Sequence, residues 1–410
     1  MGTSGDPAQE IDEGRIALRL AALWDVEHAA GGGADRPAWS AAEAAAMRLV
    51  AGWAAEAGLL AALDRHGNLW ALPRGDGPIV SSGSHVDTVP GGGRYDGALG
   101  TVLALEAAHV LPGRVAVVVF AAEEAPRFGA GTLGSRLAVG TFDEAELDDL
   151  RDADGVSAAS ARAAFLSDLD DIPRLGEPPL ARIRAHVEVH IEPRDDLRRR
   201  GADLGVVERI AAPHRHELTV EGEAGHAGEV PMARRRDALA AAAELVLALE
   251  AAARDAAERW PATVATVGRL TVEPGVVSII PARATAALEV RGIDADAIAA
   301  VEAALRRASD DVAARRGVRV ARRLVRGGEP ITLDPELVRR ALEAAERRGL
   351  GAVRTYSGAG HDAGHLAARV PAGLLFVPLA GGQSHTPEEH ADAPDVLAAA
   401  RVLVDVLAAS

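Results

Sequence analysis

The sequence contains no cysteine and no lysine among its 410 residues. Without cysteine, the chain has no thiolate nucleophile, no disulfide and no cysteine-ligated zinc or iron–sulfur cluster. Without lysine, it has neither a Schiff-base lysine nor the lysine of a phosphate-binding P-loop. These two absences exclude several catalytic mechanisms before any motif is considered.

Basic charge and long apolar runs are also scarce. The net charge of -16 argues against a nucleic-acid partner, because phosphate contacts need a basic face. No apolar stretch is long enough and free enough of charge to span a bilayer, and the first residues lack the basic and apolar regions of a signal peptide. We therefore expect a cytoplasmic protein without nucleic-acid or membrane partners.

The order of the apolar segments predicts the fold class. Runs of strand length alternate with alanine-rich segments of helical period, which is typical of an α/β protein with a mixed sheet. Residues 210–326 instead follow the order β-α-β-β-α-β, which indicates a ferredoxin-like domain. We predict a catalytic domain formed by residues 1–209 and 327–410, with residues 210–326 inserted as a lid or dimerisation domain.

Four apolar runs end at or shortly before histidines or carboxylates. Open α/β sheets bind their ligands at the carboxyl ends of the strands, so side chains in these places are expected to meet. The four predicted strands are residues 78–84 before His85, 114–122 before Glu123 and Glu124, 183–189 before His190, and 374–378 before His385.

These side chains have the chemistry of a metal site. A catalytic metal needs about three nitrogen or oxygen ligands and an open position for water, and paired metals are usually bridged by a carboxylate. Asp87 lies two residues after His85 and is placed to accept the other ring N–H of that histidine. Glu123 remains as the general base. With Asp96 as the bridge, the predicted ligands are His85, Asp96, Glu124, His190 and His385.

Each feature taken alone also has a simpler explanation. Glu123 and Glu124 fit a solvated acidic pair, and His85 fits a core histidine that is hydrogen-bonded to Asp87. A second metal motif is present as well, because His361 and His365 have the spacing of a zincin helix. An aspartate in place of the zincin glutamate and a glycine inside that motif weigh against it. His190 likewise fits a polar strand edge and His385 fits a turn, so the simpler explanations together require four coincidences.

Several runs closely resemble the zinc-dependent amidohydrolases that include N-carbamoyl-L-amino-acid hydrolase and allantoate amidohydrolase. The resemblance covers nearly the whole chain. It implies two divalent metal ions, zinc or manganese with cobalt or nickel as alternatives, one held by His85, Asp96 and His190 and the other by Asp96, Glu124 and His385. Glu123 would be the base. The runs include residues 83–90, 92–97, 225–228, 357–363 and 384–388.

The resemblance also implies how a substrate would be held. His226 looks like the family histidine that stabilises the oxyanion in a partner subunit's site. Arg291 resembles the arginine that binds the substrate carboxylate, for which its bidentate fork is suited. Gly360 and His361 are further candidates for substrate contact. These roles imply a homodimer whose inserted domain closes over a small substrate.

The chain departs from the family pattern at two places. Pro193 and Arg194 stand where the family usually has glutamine and glycine, and Ser278 stands where it usually has asparagine. The expected reaction is hydrolysis of an N-carbamoyl-L-amino acid to the amino acid, carbon dioxide and ammonia, and Arg194 is a candidate for an added anion contact. Allantoate and ureidoglycolate are the alternative substrates, and a binding protein that lost catalysis is the alternative of another class.

Overall fold

The structure is a computed structural model that describes residues 6–410. It has two units: one comprises residues 6–208, 333–355 and 360–410, and the other comprises Arg209–Thr332 and Tyr356–Ala359. Residues 210–326, the predicted insertion, lie within the second unit. None of the helices over residues 6–410 is long and apolar enough to cross a bilayer.

The first unit contains the elements up to β7 and those from α9 onward. Up to β7 these are α1 (Glu13–Trp24), α2 (Ala41–Glu56), β1 (Leu60–Asp64), β2 (Leu69–Leu72), β3 (Ile79–His85), α3 (Ala98–Val110), β4 (Val115–Phe120), α4 (Leu133–Val139), α5 (Ala158–Asp168), β5 (Arg174–Gly176), β6 (Ile183–Ile191), α6 (Asp196–Arg199) and β7 (Leu204–Ile210).

The second unit follows in the chain, and the first unit then resumes. The elements of the second unit are β8 (Ala212–Glu221), β9 (Gly225–His226), α7 (Ala238–Arg259), β10 (Val264–Glu273), β11 (Ile279–Ile280), β12 (Arg283–Gly292), α8 (Ala295–Arg316), β13 (Arg319–Arg326) and β14 (Ile331–Thr332). The remaining elements are α9 (Pro335–Arg347), β15 (Ala352–Ser357), α10 (Asp362–Leu366), β16 (Ala372–Val377) and α11 (Ala393–Ala408).

The first unit has a large mixed sheet with strand order β7-β16-β6-β3-β4-β2-β1-β5, and β15 lies beside β7. The four central strands β16, β6, β3 and β4 are parallel, whereas β2 runs antiparallel to β4. Every residue of β3 and β4 is buried, as expected for parallel strands covered on both faces. This sheet confirms the predicted α/β fold class.

The parallel central strands direct their carboxyl ends to the same edge. His85 is the last residue of β3 and pairs with Phe120, the last residue of β4, while His190 of β6 pairs with Phe376 of β16. Glu123 follows three residues after β4 ends. The strands therefore deliver these histidines and acids to one edge of the sheet.

The second unit has a four-stranded antiparallel sheet of order β10-β12-β8-β13, and its main elements follow the order β-α-β-β-α-β. Its first helix, α7, begins at Ala238. The start is set by Asp237, whose side chain accepts hydrogen bonds from the backbone N–H groups of Leu239 and Ala240. The short strands β9 and β11 pair His226 with Ile279.

Candidate metal centre

Asp96 lies at the centre of the cluster in the first unit. Its Oδ1 lies 3.3 Å from Nε2 of His85 and 3.1 Å from Nε2 of His190. Its Oδ2 lies 3.2 Å from Nε2 of His385, which is also 3.5 Å from Oε1 of Glu124. The two oxygens of one carboxylate thus face two different sets of ligands, each of three residues.

Backbone carbonyls orient the two buried rings. Nδ1 of His85 lies 3.0 Å from the carbonyl oxygen of Asp87, and Nδ1 of His190 lies 2.9 Å from that of Ile191. A carbonyl only accepts, so each Nδ1 carries a hydrogen, and in a neutral ring Nε2 is left with the lone pair that a metal ion would bind. Metal-ligating histidines are commonly held in this way.

The donor set fits a divalent metal. When the rings are neutral, their two lone pairs converge on one carboxylate oxygen and repel it unless a cation lies between them. Oε1 of Glu124 is buried and, among the described residues, has no hydrogen-bond partner, although buried carboxylate oxygens are normally satisfied. A cation at each half of the cluster would satisfy these atoms. The residues present therefore fit metal ligation at both sets.

The segment that carries Glu123 and Glu124 is held by Asp87. Its Oδ1 accepts the backbone N–H of Glu123 at 3.1 Å, and its Oδ2 accepts that of Glu124 at 2.9 Å. The carboxylate of Asp87 also lies 3.5 Å from Nδ1 of His85, farther than the carbonyl of the same residue. Asp87 thus contacts the His85 ring mainly through its backbone, and its side chain fixes the two glutamates.

The charged groups of the cluster shift each other's pKa. Burial alone would raise the pKa of Asp96, but the positive charge and the hydrogen bonds of His190, His385 and His85 in their protonated form hold it well below its ordinary value. Burial raises the pKa of Glu123 well above its ordinary value, an effect that His85 opposes and the charge of Glu124 reinforces. A carboxyl group with a raised pKa holds a proton more readily, as a general acid and base must.

Two features of the site are not apparent from the motifs. Glu389 is buried, and its Oε1 accepts the backbone N–H groups of Tyr95 at 2.7 Å and Asp96 at 3.0 Å, so it fixes the backbone of the aspartate at the centre of the cluster. Gly97 has a φ of 63°, and a Cβ there would lie 2.4 Å from two atoms of the His85 ring. In the sequence, the only sign of a role for Glu389 is that it follows the predicted ligand His385 by a few residues.

The other candidates in the first unit have different surroundings. Arg194 lies 3.7 Å from the carboxylate of Glu192 and 3.5 Å from the hydroxyl of Thr355. His361 is buried with its ring centroid 4.7 Å from that of His190, and Gly360, which precedes it, is exposed.

The zincin-like alternative gains no support. Nε2 of His365 lies 2.8 Å from the hydroxyl of Thr132, and none of the candidate metal-binding groups within residues 6–410 contains both His361 and His365. His361 instead belongs to a group with Glu188 and His190.

The remaining candidates lie in the second unit. Nδ1 of His226 accepts the backbone N–H of Gly228 at 3.1 Å, so a neutral ring carries its hydrogen on Nε2. Arg291 donates to Glu289 at 2.9 Å and to the carbonyl of Gly358 at 2.5 Å. Ser278 is exposed, and its carbonyl accepts the N–H of Ala227.

Comparisons with known proteins identify the family. The family model described as peptidase family M20/M25/M40 matches residues 82–409, which include all five predicted ligands. An N-carbamoyl-L-amino acid amidohydrolase of Geobacillus stearothermophilus is 36% identical over 400 residues, 95% of this chain and 96% of that protein. An allantoate amidohydrolase of Bacillus subtilis (strain 168) is 32% identical over 347 residues, 80% of each protein.

A solved structure gives the same result. A crystal structure of an amidase of the hydantoinase/carbamoylase family from Burkholderia multivorans has a TM-score of 0.84 at 32% identity, with 97% of each chain covered. The resemblance predicted from the motifs is thus confirmed. The chain is a hydrolase that belongs to peptidase family M20/M25/M40.

Proposed function

We propose that this chain is a metal-dependent amidohydrolase that converts an N-carbamoyl-L-amino acid and water into the amino acid, carbon dioxide and ammonia. The observation that carries the proposal is the carboxylate of Asp96, which offers one oxygen to His85 and His190 and the other to His385 and Glu124. This arrangement supports two divalent ions, zinc or manganese with cobalt or nickel as alternatives. The named activity of the Geobacillus relative supports the carbamoyl substrate.

The residues would share the reaction as follows. When bound, divalent ions polarise the scissile carbonyl and lower the pKa of water. Glu123 lies at the edge of the cluster, with Oε2 3.9 Å from Nε2 of His85, and its raised pKa lets it hold a proton. It would take that proton from the attacking water and deliver it to the leaving nitrogen. Asp87 would keep this carboxyl group in place through the backbone.

The inserted domain would supply the contacts to the substrate. With its hydrogen on Nε2, His226 is prepared to donate to the oxyanion, and we propose that it does so in the site of a partner subunit. Arg291 would bind the substrate carboxylate, and Ser278 is a further candidate in this domain. Gly360 and His361 are candidates for substrate contact in the first unit. Because Glu289 already accepts from Arg291, the carboxylate would meet a guanidinium whose orientation is fixed.

A substrate panel tests the proposal. The protein, loaded with Zn²⁺ or Mn²⁺, would be incubated with N-carbamoyl amino acids, allantoate and ureidoglycolate, and released ammonia would be measured. We expect the highest kcat/KM on an N-carbamoyl-L-amino acid. Preference for allantoate or ureidoglycolate would replace the substrate assignment, and absence of turnover on all of them would favour a binding protein on this fold.

Mixing two inactive variants tests the dimer. Glu123→Gln lacks the base, and His226→Ala lacks the oxyanion donor. If His226 serves the partner's site, random reassociation of equal amounts gives mixed dimers with one complete site, and about a quarter of wild-type activity returns. If both residues serve the same subunit's site, mixing restores nothing.

A further inference from the structure

Three consecutive backbone N–H groups next to the metal centre donate to side-chain carboxylates. Those of Glu123 and Glu124 donate to Asp87, whereas that of Ala122 donates to Oε1 of Glu43 at 3.0 Å. Ala122 has a φ of 55°, in the left-handed region that residues other than glycine rarely adopt. The backbone thus adopts an unfavourable conformation at Ala122, immediately before the two glutamates. Glu43 accepts the N–H of this residue.

Glu43 has a simpler role as well. It lies in the first turn of α2, where Ser40 accepts the backbone N–H of Glu43 at 3.1 Å, and the pair Ser40 and Glu43 has the spacing of a capping box. Its Oε2 accepts the N–H of Trp39, one residue before the N-cap Ser40 whose N–H a capping-box glutamate would bind. Capping uses only this oxygen. The other oxygen reaches Ala122, 79 residues away in sequence.

The surroundings of Glu43 support a fixed geometry. Its side chain is fully buried and both of its oxygens are hydrogen-bonded. The buried guanidinium of Arg36 donates to the carbonyls of Val86 at 2.7 Å and Leu23 at 2.9 Å, and its positive charge acts on both Glu43 and Asp87. A buried side chain whose two oxygens both accept hydrogen bonds has little freedom to move.

We propose that Glu43 is a positioning residue for the metal centre. By binding the N–H of Ala122, it holds the left-handed turn that directs Glu123 and Glu124 into the cluster, while Asp87 holds the next two N–H groups. The inference rests on the proposed roles of Glu123 as base and Glu124 as ligand. Loss of the contact would displace both carboxyl groups and leave the substrate contacts in place.

The variant Glu43→Gln tests the proposal with little change in shape. An amide has one acceptor oxygen, so one of the two backbone N–H groups would face an NH₂ donor. We expect kcat to fall about 10²-fold with KM nearly unchanged, since a displacement of about 1 Å can cost that much. The absorption spectrum of the Co²⁺-loaded protein, which reports on the ligand field that includes Glu124, should change while the amount of bound metal stays the same.

Two controls separate positioning from folding. Glu106→Gln makes the same change at another buried carboxylate of the first unit, which accepts from the N–H of Asp12 and from Arg15. Ser40→Ala removes the cap and leaves the contact to Ala122. Both should lower Tm without changing kcat or the cobalt spectrum. If Glu43→Gln behaves as they do, Glu43 is only a cap and the proposal is wrong.

A second substitution tests the turn itself. Glycine adopts positive φ without the Cβ penalty, so Ala122→Gly in the Glu43→Gln background should restore part of kcat and of the cobalt spectrum. Absence of any rescue would contradict the proposal. If Glu43→Gln alone does not fold, the double variant still provides the measurement. If the wild-type protein turns over none of the substrates, the proposed function fails, and the cobalt spectrum still tests Glu43.

Discussion

Two clusters of histidine and carboxylate in this protein contain the same kinds of residue but differ in spacing. In the cluster around Asp96, the histidine Nε2 atoms lie 3.1–3.5 Å from carboxylate oxygens. One oxygen of Asp96 faces His85 and His190, and the other faces His385. In the second unit, Nδ1 of His214 and Nε2 of His216 share one oxygen of Glu302 at 2.7 and 2.8 Å. Both clusters contain the residue types that bind metal ions.

The spacing distinguishes them. Ligands at the corners of a tetrahedron around zinc, with bonds of about 2.0–2.1 Å, are about 3.3 Å from each other. The Asp96 cluster has this spacing, whereas the Glu302 cluster has the length of an N–H···O hydrogen bond. His214 and His216 alternate along β8 and so reach Glu302 of α8 from the same face. The shorter distances at Glu302 favour a hydrogen bond over a shared metal ion.

Removing one histidine from each cluster gives the largest expected difference. His85→Ala should lose bound metal and nearly all turnover, because a ligand is gone. His216→Gln should retain the metal content and turnover of the wild type. Metal per chain would be measured by mass spectrometry after dialysis against Zn²⁺-buffered solution. Loss of a metal ion in His216→Gln would show that the shorter spacing also accommodates a cation.

The proposed base can be removed without removing a ligand. Glu123→Gln should keep the metal content of the wild type and lose about 10²–10⁴-fold in kcat, since the amide cannot carry the proton. The measurement pairs metal analysis with steady-state kinetics on the best substrate. Full activity in this variant would transfer the role of base to another residue.

A smaller effect is expected at the residue that orients the bridge. Glu389→Gln leaves all five ligands in place but weakens the acceptor for the N–H groups of Tyr95 and Asp96. Outer partners of this kind are worth about 10–100-fold in metal affinity. Competition with a chromogenic chelator would measure the change, and unaltered affinity would show that Asp96 is oriented by its metal ligation alone.

The smallest effect concerns Glu302 and depends on pH. Burial alone would raise the pKa of Glu302, but the hydrogen bonds from His214 and His216 lower it. A lowered folded-state pKa stabilises the protein above the unfolded pKa of about 4.3, and this contribution is lost as pH falls through the folded value. Glu302→Gln should therefore be less stable by about 1 kcal/mol at pH 7, with the difference shrinking below pH 4 in urea unfolding. A pH-independent difference would contradict this account.

The sequence predicts the proposed metal ligands better than it predicts the residues that hold the backbone around them. The ligands His85 and His190 are predictable because their strands are apolar runs with parallel ends, and both lie beside Asp96 in the structure. Glu43 and Glu389 are not, since each binds backbone N–H groups 79 or about 294 residues away and neither follows a strand. The pair His214 and His216 has the same strand spacing as Glu188 and His190, and only the distances to Glu302 distinguish the cluster from a metal site.

The contact between Gly97 and the His85 ring has a consequence for mutational tolerance. Position 97 bears no functional group, yet any side chain there would occupy space filled by a ring that contacts Asp96. A saturation library scored for activity should therefore reject every substitution at this glycine as strictly as it rejects changes of the histidine. The part of the chain under selection for catalysis extends beyond the residues that perform it, and an inventory of reactive groups would underestimate it.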